Sequence, residues 1–325
     1  MDASRRSSSR DLSRQQDTAE GESAEPTHTC VQMLHVSEID LHNGFLEAMR
    51  QVGPMMLFGR NRHVIAGLVS ELPTLSPFGD GLIGSNPELS LHLDLPGFHR
   101  GRVIHEQDLS GGMFVGMECY DEHNNALFRA ALTPGSAGCA FQHMVHHHHR
   151  RCVPLDEAKQ WRRLADLTSI PAANHRPIDP SFCDADPWSR PVDAAESMVK
   201  IEAGFAGNIH LAPAVLEEAI EEERELSLTV SGGFGRMHFP FGPERLETAQ
   251  RGWICAGGNG AMIRFDPNAI ASYWVGSYEE LGTRFSYLEA VDVYGDLIFR
   301  LASPNRDAHR YWRALASGME PRAVG

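Results

Sequence analysis

The chain has 325 residues, 42% of them hydrophobic, enough to fill one large core or two of ordinary size. Acidic residues outnumber Lys and Arg by 43 to 29, a net charge of −14, and a surface that tracks phosphates needs the opposite balance, so nucleic acid is not an expected partner. The six cysteines form no CxxC pair, no run approaches the roughly 20 apolar residues of a membrane span, and no apolar core follows the N-terminal arginines; reduced thiols, no membrane insertion and a cytoplasmic location are expected.

In chain order, residues 1–29 are rich in Ser, Arg and Glu with almost no large apolar side chain, which predicts a disordered arm. A first folded unit is expected over 30–160. FLEAMR from Phe45 reads as a helix running into a strand at 55–58, followed by strands at 88–93, 114–120 and 126–132. Residues 161–191 read as a mid-chain segment and linker, with five prolines between 169 and 191 that exclude helix. A second unit is expected over 192–325. There Val215, Leu216, Ala219 and Ile220 recur at helical spacing within 214–225, and strands are expected at 226–230, 261–265 and 271–275.

The two units look like copies. MECYDEHNNALFR at 117–129 aligns without a gap to LEAVDVYGDLIFR at 288–300. Glu118, Asp121, Phe128 and Arg129 recur as Glu289, Asp292, Phe299 and Arg300, an offset of 171 residues, and each segment reads as a hairpin. SLHLD from Ser90 pairs with MIRFD from Met262 at an offset of 172, and the helix–strand segments from Phe45 and Val215 also correspond. No Walker loop, dinucleotide fingerprint or nucleophile elbow is present, and no βαβ alternation appears. The pattern predicts an α+β fold made by tandem duplication, antiparallel rather than doubly wound.

Several short motifs stand in a suggestive order. They are Arg60-Asn61 after the first helix and strand, Trp161-Arg162 at mid-chain, Gly252-Trp253, IASYWV at 270–275, Tyr287-Leu288-Glu289, and a closing Trp312-Arg313. In this order and spacing the chain, from about residue 36 to about residue 316, resembles the haemin-degrading and haem-trafficking HemS/ChuX family. The resemblance implies a large antiparallel β-sheet flanked by α-helices in each repeat. It also implies haem bound between the C-terminal sheet and the mid-chain segment, and a haem-uptake or haem-degradation protein as partner.

The same resemblance marks departures. Thr168 stands where the family's axial histidine falls, and the nearest imidazole is His175. His92 replaces an arginine of the first repeat, and Arg264 is its second-repeat equivalent. The family's lysine is lost within Gly276-Ser277-Tyr278, and its C-terminal Tyr-Gly-x-Arg becomes 302–305 with Arg306 one step late. Haem needs an axial base and cations for its propionates. The candidate set is therefore His175 as iron ligand with His92, Arg264, Arg60, Tyr278 and Arg306 around the ring; Arg284, Tyr273 and Tyr287 are weighed as ordinary surface or packing residues.

One motif stands outside the resemblance. His143 and the run His146, His147, His148 and His149, followed by Arg150-Arg151, read as a solvated loop able to bind divalent transition ions weakly. The expected function is haem binding and trafficking in iron metabolism, with ring opening left open. The alternatives are a non-enzymatic binding protein on the same scaffold and a His-rich metal-handling protein.

Overall fold

The computed structural model describes residues 30–34, 44–107, 113–123, 125–154, 199–202, 211–249, 252–280, 283–305 and 308–316. The 1–29 arm, the 161–191 segment with Thr168 and His175, and Arg306 lie outside the described residues. The first half contains β1 (Cys30–Leu34), α1 (Leu46–Arg50), β2 (Met55–Arg60), β3 (Val64–Ser70), β4 (Ser76–Phe78), β5 (Gly81–Ser85) and β6 (Ser90–Asp94). It continues with β7 (Arg100–Gln107), β8 (Met113–Tyr120), β9 (Ala126–Leu132), α2 (Gly138–His148) and β10 (His149–Pro154). The second half contains β11 (Val199–Glu202), α3 (Leu211–Glu221), β12 (Leu226–Gly232), β13 (Gly235–Phe241), β14 (Arg245–Thr248), β15 (Ile254–Gly258) and β16 (Ala261–Phe265). It closes with β17 (Ser272–Glu280), β18 (Thr283–Val291), β19 (Leu297–Ser303) and α4 (Ala308–Ala316). Strands β2, β3, β6 and β9 each start 171 residues before β12, β13, β16 and β19, so the duplication read from the sequence extends through the fold.

All strand pairs are antiparallel and form two sheets. The first has the order β10-β1-β7-β8-β9-β2-β3-β16-β15-β14 and the second β11-β17-β18-β19-β12-β13-β6-β5-β4. Among the described residues each strand of the first sheet has its repeat counterpart at the same place in the second, except β10, which extends the first sheet by one edge. Both sheets are built by exchange: β4–β6 leave the first half to pair with β13, and β14–β16 leave the second half to pair with β3. The α+β architecture of two large antiparallel sheets is as expected, with three strands of each contributed across the linker.

Strand residues alternate in or out because the side-chain period of a strand is two. In β12 and β13 one face carries Leu226, Leu228, Val230, Met237, Phe239 and Phe241, all fully or nearly fully buried. Helices α3 and α4 pack on this face of the second sheet. Ser286 donates to the Asn305 carbonyl at 2.7 Å on the way into α4, and Trp312 of α4 donates its indole N–H to Glu218 of α3 at 3.1 Å. The apolar faces of the two sheets meet where Phe265 and Phe299 stack at 4.8 Å. No helix among the described residues is long and apolar enough to cross a membrane.

The halves are also bolted together near the β2–β3 turn. The Asn61 side-chain amide donates to the carbonyls of Ser231 and Ile298, both at 2.9 Å, while its oxygen accepts from the backbone N–H groups of His63 and Val64. From the other side, the fully buried Phe234 ring lies so close over Gly59 that a Cβ there would collide with it.

Candidate functional site

The second face of the second sheet is polar. Reading directly paired residues across the strands gives one row, Lys200, Trp274, Glu289, Arg300, Thr229, His238 and Ser90. The next row holds Ser231, Arg236, His92 and Ile83. Members of a cross-strand row share a face, and the two rows are one pleat apart, so these side chains cover one surface. The surface depends on strand exchange, because Ser90 and His92 come from the first half and the rest from the second.

Its electrostatics are set by a few pairs. Glu289, almost completely buried, accepts from Arg300 Nη2 at 2.6 Å and Nε at 2.9 Å, and the Arg300 guanidinium stands 5.5 Å from the Tyr287 ring centroid. Arg236 Nε donates to the Ser231 hydroxyl at 3.2 Å. His238 Nδ1 lies 2.8 Å from the Thr229 hydroxyl. Burial first, then the positive charges of Arg300 and Arg236, push the His238 pKa down to about 4, so its imidazole is neutral at neutral pH. The His92 ring meets Phe78 edge-on at 5.9 Å. A Cβ at Gly276 would lie 2.6 Å from the Tyr287 hydroxyl, so this ring fills the space beside the position where the family's lysine was expected.

The residues singled out in the sequence do not form one constellation among the described residues. His92 on β6 and Tyr278 on β17, opposite Phe285, belong to the second sheet. Arg60 and Arg264 belong to the first, in one row with Ile65 between them. The Arg264 guanidinium stacks 5.3 Å from the Trp253 ring, and its buried Nε has no hydrogen-bond partner among the described residues. Strand exchange separates His92 from its repeat equivalent Arg264. Arg284 pairs with Glu279 in the β17–β18 ladder, and Tyr273 is buried beside Ala212, burial raising its phenol pKa. The histidine run is corrected: His146, His147 and His148 end helix α2 and His149 opens β10, so it is no loop. The sequence reading missed Thr229, Arg236 and His238, although their alternation with Val230, Met237 and Phe239 was a usable signal.

The corresponding face of the first sheet has different chemistry. Its row runs Arg102, Glu118, Arg129, Phe58, Gly67. Glu118 accepts from Arg102 Nη2 at 2.7 Å and from the Tyr120 hydroxyl, and Arg129 Nε lies 3.3 Å away. Burial raises the Glu118 pKa, but the facing Arg129 and Arg102 outweigh it and the net value is lowered. The Phe58 ring covers Gly67, where a Cβ would stand 2.6 Å from Cδ1. The place of Thr229 and His238 is thus taken by an aromatic ring over a glycine.

Among the described residues no group of three or more His, Cys, Asp or Glu could hold a bare metal ion. A porphyrin asks less of the protein, because it brings four nitrogens to its iron and needs an axial base, cations and a flat surface. The polar face of the second sheet fits that demand with neutral imidazole, guanidinium and aromatic edges.

Comparisons with known proteins bear on part of the chain by family and on most of it by fold. Residues 24–148 match the family model of the haemin-degrading HemS.ChuX domain. The whole chain has the two-repeat fold of two solved structures. One is ChuS, an E. coli heme oxygenase, with 17% identity over 90% of this chain and 89% of that one and a TM-score of 0.60. The other is holo-PhuS, a heme-binding protein from Pseudomonas aeruginosa, with 15% identity over 90% and 88% and a TM-score of 0.63. No curated protein sequence matches the chain. The match to the HemS.ChuX family model falls within the first half of the chain, and the likeness to ChuS and PhuS extends a common fold over 90% of it.

Proposed function

We propose that the chain binds haem on the polar face of the second sheet and serves haem trafficking in the cytoplasm. The observation that carries this reading is the surface itself, where strands of both repeats place His92, Arg236, His238 and Thr229 side by side. A buried imidazole that stays neutral suits an iron-bearing ring better than a bare ion. In this reading His92 and His238 face the macrocycle, Arg236 meets a propionate, and His175 is the candidate iron ligand. Arg60 and Arg264, on the other sheet, take no part. Hand-over is favoured above ring opening because Thr168 stands where the family's axial histidine falls. A haem-uptake or haem-degradation protein is the partner this role requires.

Titration of the protein with haemin tests the proposal. The expected result is a Soret band that shifts and saturates at one equivalent, and that changes further in His92→Ala or His175→Ala. No shift at micromolar protein removes the reading.

A second reading is a different flat ligand on the same face, one that needs fewer cations than haem. It is favoured by the engagement of Arg300 with Glu289 and by the Tyr287 ring over Gly276, both of which leave fewer cations for propionates. Iron-free porphyrin binding as tightly as haemin, with no ligand-field change in the spectrum, would select it.

A further inference from the structure

Helix α2 leads straight into β10, which among the described residues has no counterpart in the second sheet. Its buried side is Phe141, Met144 and Val145. At 100° per residue the opposite side gathers Cys139, His143, His146 and His147 in one arc, and all four are exposed. His148 is half-buried between them and the core, its ring edge-on to Phe45 at 5.0 Å and to His147 at 4.9 Å. His149 is committed to the ladder opposite Leu34. The run of histidines is therefore divided by the fold, and the residue that completes the exposed set, His143, lies outside the run.

We propose that His143 and His147 form a helical chelate for an exchangeable divalent transition ion such as zinc, nickel or copper. Residues four apart are neighbours on a helix surface, and two histidines at this spacing are the pairing by which a helix presents two imidazoles to one zinc ion. His147 stands in the last helical turn, where the exposed carbonyl end of the helix favours a cation. The strand that follows and the His148–Phe45 contact hold that turn in place, so the pair is presented ready-made. Cys139 lies one turn before His143 and two before His147, too far to share an ion held between the histidines. With two protein ligands and no third among the described residues, water completes the coordination. That makes the site one for exchange, in contrast to a closed structural zinc site with four protein ligands. It does not rest on haem binding.

The test is calorimetric titration of the full chain with zinc and nickel, and electron paramagnetic resonance of bound copper to count nitrogen ligands. His143→Ala and His147→Ala should each weaken binding by at least about tenfold. His146→Ala, His149→Ala and Cys139→Ser should leave it close to that of the parent. Zinc should raise the melting temperature of the parent and not of His143→Ala. Unchanged binding in His143→Ala, or a loss spread evenly over residues 146–149, overturns the proposal. Should His147→Ala lower the metal-free melting temperature through its neighbour His148, His143→Ala carries the decision alone, since His143 is exposed in the middle of the helix.

Discussion

The two sheets share strand order, a cross-strand Glu–Arg pair and hairpins closed by an aspartate, yet one keeps an imidazole where the other keeps glycine. Glu118–Arg129 and Glu289–Arg300 occupy the same register, and Asp121 and Asp292 each accept backbone N–H groups two and four residues on. The recurring residues are thus the wiring of the fold, and the two sheets differ further along the same row. The sharpest way to break this equivalence is at the shared carboxylates. Glu118→Gln leaves two guanidiniums, Arg102 and Arg129, without their anion, and removing one partner of a buried ion pair costs about 3–5 kcal/mol. Glu289→Gln takes the anion from Arg300, which still has the Tyr287 ring, so its loss should lie at or below the lower end of that range. Denaturant midpoints at constant m-value measure both. Equal losses would show that the second guanidinium in the first sheet contributes nothing.

The imidazole itself separates the sheets by pH. His238 has an ordinary value of 6.5 when unfolded and about 4 when folded. Between these values the unfolded chain takes up a proton that the native chain does not, so stability is complete above pH 6.5 and falls as pH drops toward 4. The loss attributable to this one residue should reach about 3 kcal/mol. The measurement is the difference between parent and His238→Gln profiles, because His63, also lowered by burial, titrates in both. Parallel profiles would place the His238 ring in water and remove it from the polar face.

Much of this was legible in the sequence, and the remainder was hidden for a physical reason. The hairpin pattern and the repeat at 171 residues located strands 126–132 and 261–265 to the residue. Alternation does not name a strand's partner, so the exchange of β4–β6 and β14–β16 was invisible. With it went the fact that His92 and Arg264, though equivalent, serve different sheets. The helix through the histidines was masked because consecutive imidazoles carry no period; the signal lay just upstream in Phe141, Met144 and Val145. In the Arg60-Asn61 motif it is Asn61 that makes the bonds between halves, which no sequence pattern specifies.

That asparagine supplies the smallest and most discriminating prediction. In the second half the equivalent hairpin has no such amide; it inserts Phe234 beside Gly59, so one junction is polar and its counterpart apolar. Asn61 does two jobs: its oxygen holds the β2–β3 turn through His63 and Val64, and its amide reaches Ser231 and Ile298. Asn61→Ala removes both and should cost on the order of 2 kcal/mol, since each net hydrogen bond is modest but the abandoned groups are half-buried. Asn61→Asp keeps the turn acceptor and loses the donors, placing a carboxylate against two carbonyl oxygens. If the bridge to β12 and β19 is what stabilises the chain, Asp should be at least as costly as Ala, and hydrogen exchange should speed up in β12 as well as in β2. Recovery of most of the stability in Asn61→Asp would instead assign this residue to the turn and leave Phe234 as the side chain that joins the halves.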